Sequence, residues 1–111
     1  MNKFELFTMT FYALDLYYDN NPSEELGQFL SSMSPFTFKE IGSAVQWVYN
    51  EFCEFVGERE ITIDNSYNLA KEYVISLNNT LLLKAFCNTS EEKWEEGCNK
   101  YLATEHKGSN L

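Results

Sequence analysis

Residues 3–19 constrain this chain more than any other stretch. At about 100° per residue, Phe4, Phe7, Phe11, Leu14 and Tyr18 fall on one stripe, and Leu6, Met9, Ala13 and Leu16 fall on a second. One narrow polar stripe is left over: Glu5, Thr8, Tyr12, Asp15 and Asp19. A helix that is apolar around most of its circumference belongs in the middle of its fold, with other helices on several sides. The segment 11–20, FYALDLYYDN, poses a question that core packing does not answer. Asp15 and Asp19 share the only wet face with Tyr12, either as a solvated edge or as an acidic, tyrosine-bearing surface for a partner.

The rest of the chain reads as further helices. Asn21-Pro22-Ser23-Glu24, Ser43-Ala44-Val45-Gln46 and Thr89-Ser90-Glu91-Glu92 each have the spacing of a capping box. The first opens a helix with Leu26, Phe29, Leu30 and Met33 inward. The second opens one with Val45, Val48, Tyr49, Phe52, Phe55 and Val56 inward, closed by Gly57. Asp64 or Asn65 is expected to cap a helix carrying Tyr67, Ala70, Val74 and Leu77, and Asn78-Asn79-Thr80 breaks it before Leu81. The third box opens a last helix with Trp94, Cys98, Tyr101 and Leu102 on one face and a Glu96–Lys100 pair on its surface. Residues 35–42 (PFTFKEIG) lack a period and read as a loop. The four residues EITI at 60–63 are too isolated to build a sheet. The expectation is an all-α, single-domain bundle of five or six helices over residues 1–103, followed by a frayed tail at 104–111.

Charge narrows the partners. With 17 acidic and 8 basic residues the net charge is −9, and Arg59 is the only arginine. Nucleic acid and anionic membranes both demand a basic surface and are poor ligands for this chain. A basic protein is the natural counterpart. Cys53, Cys87 and Cys98 form no CxxC pair and are odd in number, which reads as reduced, largely buried thiols. With no secretory pattern near Lys3 and Glu5 and no apolar run of spanning length, the cytosol is the expected compartment.

Catalytic signatures are missing. The one histidine, His106, lies in the presumed tail, no phosphate-binding glycine pattern occurs, and the thiols are too scattered for a zinc site. No cofactor, metal or enzymatic activity is expected, and paired acids such as Asp15 with Asp19 or Glu51 with Glu54 are accounted for by solvated helix faces. The acids that begin the last helix, Glu91 and Glu92, are accounted for by the helix dipole. Trp47 is different. Helical spacing puts it with Glu51, Glu54 and Glu58, away from its helix's apolar face. Either the 35–42 segment folds over the indole, or Trp47 is an exposed hot-spot residue ringed by carboxylates. Candidate partner-binding residues are therefore Trp47, Glu51, Glu54 and Glu58, with Tyr12, Asp15 and Asp19 as a second set.

The stretch FYALDLYYDNNPSEELGQFLSSMSPFTF at 11–38, followed by GSA at 42–44 and VYNEFCEF at 48–55, resembles small bacterial immunity proteins paired with contact-dependent growth-inhibition toxins. The resemblance rests on Leu26-Gly27 with Phe29-Leu30, Met33 with Pro35-Phe36, and Gly42-Ser43-Ala44. It covers the first half of the chain, does not extend past Gly57, and carries over no binding residues. It implies a short, acidic, cytosolic monomer that forms a 1:1 complex with a cognate toxin domain and occludes its active site or substrate cleft. Many such toxins are nucleases with basic clefts, in which an acidic protein stands in for phosphate. The competing expectation is a non-catalytic adaptor or structural module, marked by an exposed apolar patch.

Overall fold

Asn2 starts the first helix. Its side-chain oxygen accepts from the Glu5 N–H at 2.8 Å, and Glu5 Oε1 accepts from the Asn2 N–H at 2.8 Å, a reciprocal cap. The computed structural model describes residues 1–34 and 45–103. They form α1 (Lys3–Asn20), α2 (Glu24–Met33), α3 (Gln46–Val56), α4 (Ile63–Ser76), α5 (Thr80–Cys87) and α6 (Glu91–Ala103), with no strand among them. The chain is a single all-α domain. The expected loop at 35–42, the cap at Ser43, the tail from Thr104 and His106 lie outside the described residues.

The apolar circumference of α1 has the expected consequence: this helix touches each of the other five. Phe4, Leu6, Phe7, Met9, Phe11, Ala13 and Leu14 are all buried. The first half of its polar stripe is buried as well, Glu5 through its cap bonds and Thr8 beneath the neighbouring helices. Leu16, expected on the second apolar stripe, is instead 50% exposed. The surface of α6 beside it presents the buried Trp94 together with Lys93 and Gly97, a solvent-seeking cation and a residue with no side chain, and Leu16 stays uncovered.

Two aromatic groups hold the helices together. Phe7 meets Tyr49 and Phe52 edge-on at 5.1 Å between centroids, and Phe52 meets Tyr73 at 4.8 Å, which ties α1 to α3 and α4. Trp94, 1% exposed, packs against Tyr67 at 5.8 Å and Phe86 at 5.5 Å. Its Nε1–H donates to Ser66 Oγ at 2.8 Å, so α4, α5 and α6 converge on one indole whose polar edge is satisfied. Cys98 is buried nearby, and burial pushes its thiol up to about 11. The expectation of largely buried thiols holds only there, because Cys53 is half-buried and Cys87 exposed.

The helix starts differ from the sequence expectation by one to three residues. Ser23, not Asn21, caps α2, its Oγ accepting from the Leu26 N–H at 3.3 Å, while Asn21 ends α1 by donating to Tyr17 O at 2.9 Å. α3 begins after Val45 with no side-chain cap bond. Thr62, not Asp64 or Asn65, caps α4 in a box closed by Asn65. Ser90, not Thr89, accepts from the Lys93 N–H at the start of α6. Short polar residues stand in runs at each of these starts, and the register of the apolar face selects among them.

Candidate functional site

The outward side of α3 is built by spacing. Val48, Phe52 and Val56 recur every four residues and are buried, which turns Trp47, Glu51 and Glu54 to the opposite side. The Trp47 indole is 60% exposed, and Glu51, Glu54 and Glu58 are exposed too. Glu58 is not on the helix, however. Gly57 ends α3 with φ 63° and ψ −134°, a conformation open essentially to glycine alone, and Glu58 follows in the turn.

Arg59 decides how these acids are neutralised. Its guanidinium donates to Phe55 O at 2.8 Å and Val56 O at 3.1 Å and pairs with Glu72 at 3.2 Å. It also lies 5.0 Å from the Phe55 ring centroid. The one arginine thus satisfies orphan carbonyls at the C-terminus of α3 and leaves the outward acids alone. Arg59–Glu72 is the one ion pair within 4.0 Å among the described residues, and Glu51, Glu54 and Glu58 take part in none there. Glu51 also acts inward: Tyr73 is pushed up to about 12 chiefly by burial and secondarily by that carboxylate.

The second set lies on α1. Tyr12 is 38% exposed and its ring stands edge-on to Tyr101 at 6.2 Å. Burial, then Tyr101, then Asp15 raise its hydroxyl above the ordinary tyrosine range. Asp15 is half-buried in a groove between α1 and α2 lined by Phe11, Tyr18, Gly27 and Leu30. Gly27 matters there, because a Cβ would come within 3.0 Å of the Tyr18 hydroxyl. Asp19 is exposed. α3 meets α1 through Phe4 and Phe7, and Asp15 and Asp19 lie roughly 12–18 Å further along that helix. The two sets form separate patches.

Burial first, and the charge of Asp19 second, raise the Asp15 carboxyl above the usual aspartate range. Such a group favours the fold when protonated, below its unfolded value, and that contribution is lost as pH rises through the folded value. Asp15→Asn should therefore raise the melting temperature near neutral pH. The gain should vanish below the ordinary aspartate range. Thermal melts of both proteins across that interval check it, and a pH-independent difference would mean that packing, not charge, is responsible.

Sequence reasoning missed two exposed apolar side chains, Leu16 and the 51%-exposed Ile75. Ile75 was legible, since helical spacing groups it with Asn68, Lys71 and Glu72 and away from Val74. Among the described residues, no group of three or more His, Cys, Asp or Glu could hold a metal ion, and no helix is long and apolar enough to cross a membrane. Comparisons with protein families, curated proteins and solved structures return no match.

Proposed function

We propose that this chain is an immunity-type protein. It binds a basic toxin domain, a nuclease by preference, and occludes its active site or substrate cleft with the outward face of α3. One observation carries the reading: a 60%-exposed tryptophan stands beside carboxylates that form no ion pair among the described residues, on a helix whose other side is core. An indole of this kind fills a pocket, and the acids meet the lysines and arginines of a cleft built for phosphate. The binding is non-catalytic, needs no cofactor, and pairs one copy with one partner in the cytosol.

The test is to co-express the chain with the terminal domain of the protein encoded beside it, then measure complex stoichiometry and the domain's activity. A 1:1 complex that abolishes the activity supports the proposal. A neighbour that is neither bound nor inhibited overturns it. Association should also be steered: with a net charge of −9, the association rate should fall steeply as salt rises from roughly 10 to 150 mM, as the screening length contracts. Stopped-flow mixing measures this, and a flat rate would make the acidic surface incidental.

The second reading, a non-catalytic adaptor, is favoured by the apolar side chains Leu16 and Ile75 left at the surface. It calls for a stable complex that leaves the partner's activity intact.

A further inference from the structure

The groove between α1 and α2 is walled by Phe11, Asp15 and Tyr18 from one helix and Gly27, Leu30 and Ser31 from the other, around about 270 Å³. Positions 11, 15 and 18 are spaced by four and three residues, so a single stripe of α1 runs along it. Phe11 and Leu30 are buried and give the groove an apolar floor. Gly27 lets the Tyr18 ring lie against α2. It sits inside that helix, where alanine is the better helix former, and a Cβ there would come within 3.0 Å of the Tyr18 hydroxyl and 3.1 Å of its ring.

Asp15 is the one charged side chain among the described residues that line this groove. Its carboxylate is in no ion pair and accepts no hydrogen bond among the described residues. Burial first and the charge of Asp19 second raise the carboxyl, as befits an acid held against apolar surface with a like charge nearby. The two helices have no cation to offer it. Between Lys3 and Lys39 the sequence contains no basic residue, and Lys3 lies roughly 18 Å back along α1.

These features select the occupant. A divalent ion asks for several oxygen ligands at once, and no group of three or more ligating side chains exists among the described residues. A second copy of the chain brings another net charge of −9 and is repelled. A lysine or arginine side chain matches both parts of the groove, with an aliphatic stem for the floor and a cationic head for the acid.

We propose that the α1–α2 groove is a docking pocket for one lysine or arginine side chain of a partner protein, its stem on Phe11 and Leu30 and its head on the Asp15 carboxylate. The pocket is separate from the α3 face and stands whether or not the partner is a toxin.

The probes are short glycine peptides, blocked at both ends, with arginine, lysine or uncharged norleucine at the centre. Each is titrated into the isotope-labelled full chain and followed by amide NMR spectra. The arginine and lysine peptides should give saturable shifts centred on Asp15, Tyr18 and Gly27, and the norleucine peptide none. Asp15→Asn, with its fold confirmed by a thermal melt, should weaken binding about tenfold or more, since it removes a charge-assisted contact. Glu60→Gln removes the same charge from an exposed position outside the groove and should leave binding unchanged. Gly27→Ala should weaken it several-fold by displacing the Tyr18 ring, and unaltered binding there would place the cation outside the groove and overturn the proposal. Equal losses in Asp15→Asn and Glu60→Gln would reduce the contact to general attraction and overturn it too, as would equal binding of the norleucine peptide. Spermidine or magnesium bound in the groove where neither basic peptide binds would assign it to a free cation instead. A concentration-dependent dimer in analytical ultracentrifugation, broken by Asp15→Asn, would assign it to a second copy and overturn the proposal likewise.

Discussion

Trp94→Ala should remove about 3–5 kcal/mol of folding free energy, the range for deleting a large buried ring. The indole is 1% exposed, touches the rings of Tyr67 and Phe86, and gives its one polar hydrogen to Ser66 Oγ. Three helices lean on it, so the cavity cannot collapse without moving all of them. A domain of this size has roughly 5–15 kcal/mol in all, and the variant should be partly unfolded at moderate temperature. Trp94→Phe retains most of the packing and loses the hydrogen bond, so it should fall between the two. Urea melts followed by circular dichroism measure both. Trp47→Ala, by contrast, should stay within about 0.5 kcal/mol of wild type, as exposed substitutions do. If Trp94→Ala were as stable as Trp47→Ala, the indole would not be the point where α4, α5 and α6 meet.

The second large effect concerns binding. Trp47→Ala should cost about 2 kcal/mol of affinity for the proposed basic partner, roughly thirtyfold in Kd, through faster dissociation. Glu51→Lys and Glu54→Lys each replace an attraction with a repulsion, and their effect should fall mainly on the association rate. Neither should unfold the protein, since both positions are exposed and neither carboxylate is in an ion pair. Surface plasmon resonance on the three variants separates the two rates. Unchanged affinity in all three would remove α3 from the interface and leave the Tyr12, Asp15 and Asp19 patch as its successor.

Much of this was legible because a helix reveals its burial by periodicity. The near-complete apolar girth of α1 predicted a central helix, and Val48, Phe52 and Val56 predicted which side of α3 faces inward. What stayed hidden depended on the neighbour. Leu16 belongs to an apolar stripe and is exposed only because α6 presents Gly97 and Lys93 across from it. Glu5 looked like surface and is buried because it closes a cap with Asn2. Cap positions slipped by one to three residues where Asn21, Ser23, Thr62 and Asn65 offered equivalent oxygens. Glu58 dropped off its face because Gly57 ends the helix first. The exposure of Trp47 was open in the sequence, since periodicity turns the indole away from its own helix's core without saying whether another segment covers it.

The single arginine clamped to the end of α3 has a wider consequence. With 8 basic residues against 17 acidic ones and the only arginine committed to backbone carbonyls and Glu72, Glu72 is the one carboxylate in an ion pair among the described residues. The acids repel one another in the folded state, and dissolved ions relieve that repulsion. The same ions would weaken the attraction to the proposed basic partner, so one solute should strengthen the free protein while loosening that complex. A cationic partner supplies in fixed positions what salt supplies diffusely. The proposed partner would in that sense be the macromolecular counterion of this chain, and its complex would gain stability from repulsion that the free fold has to bear.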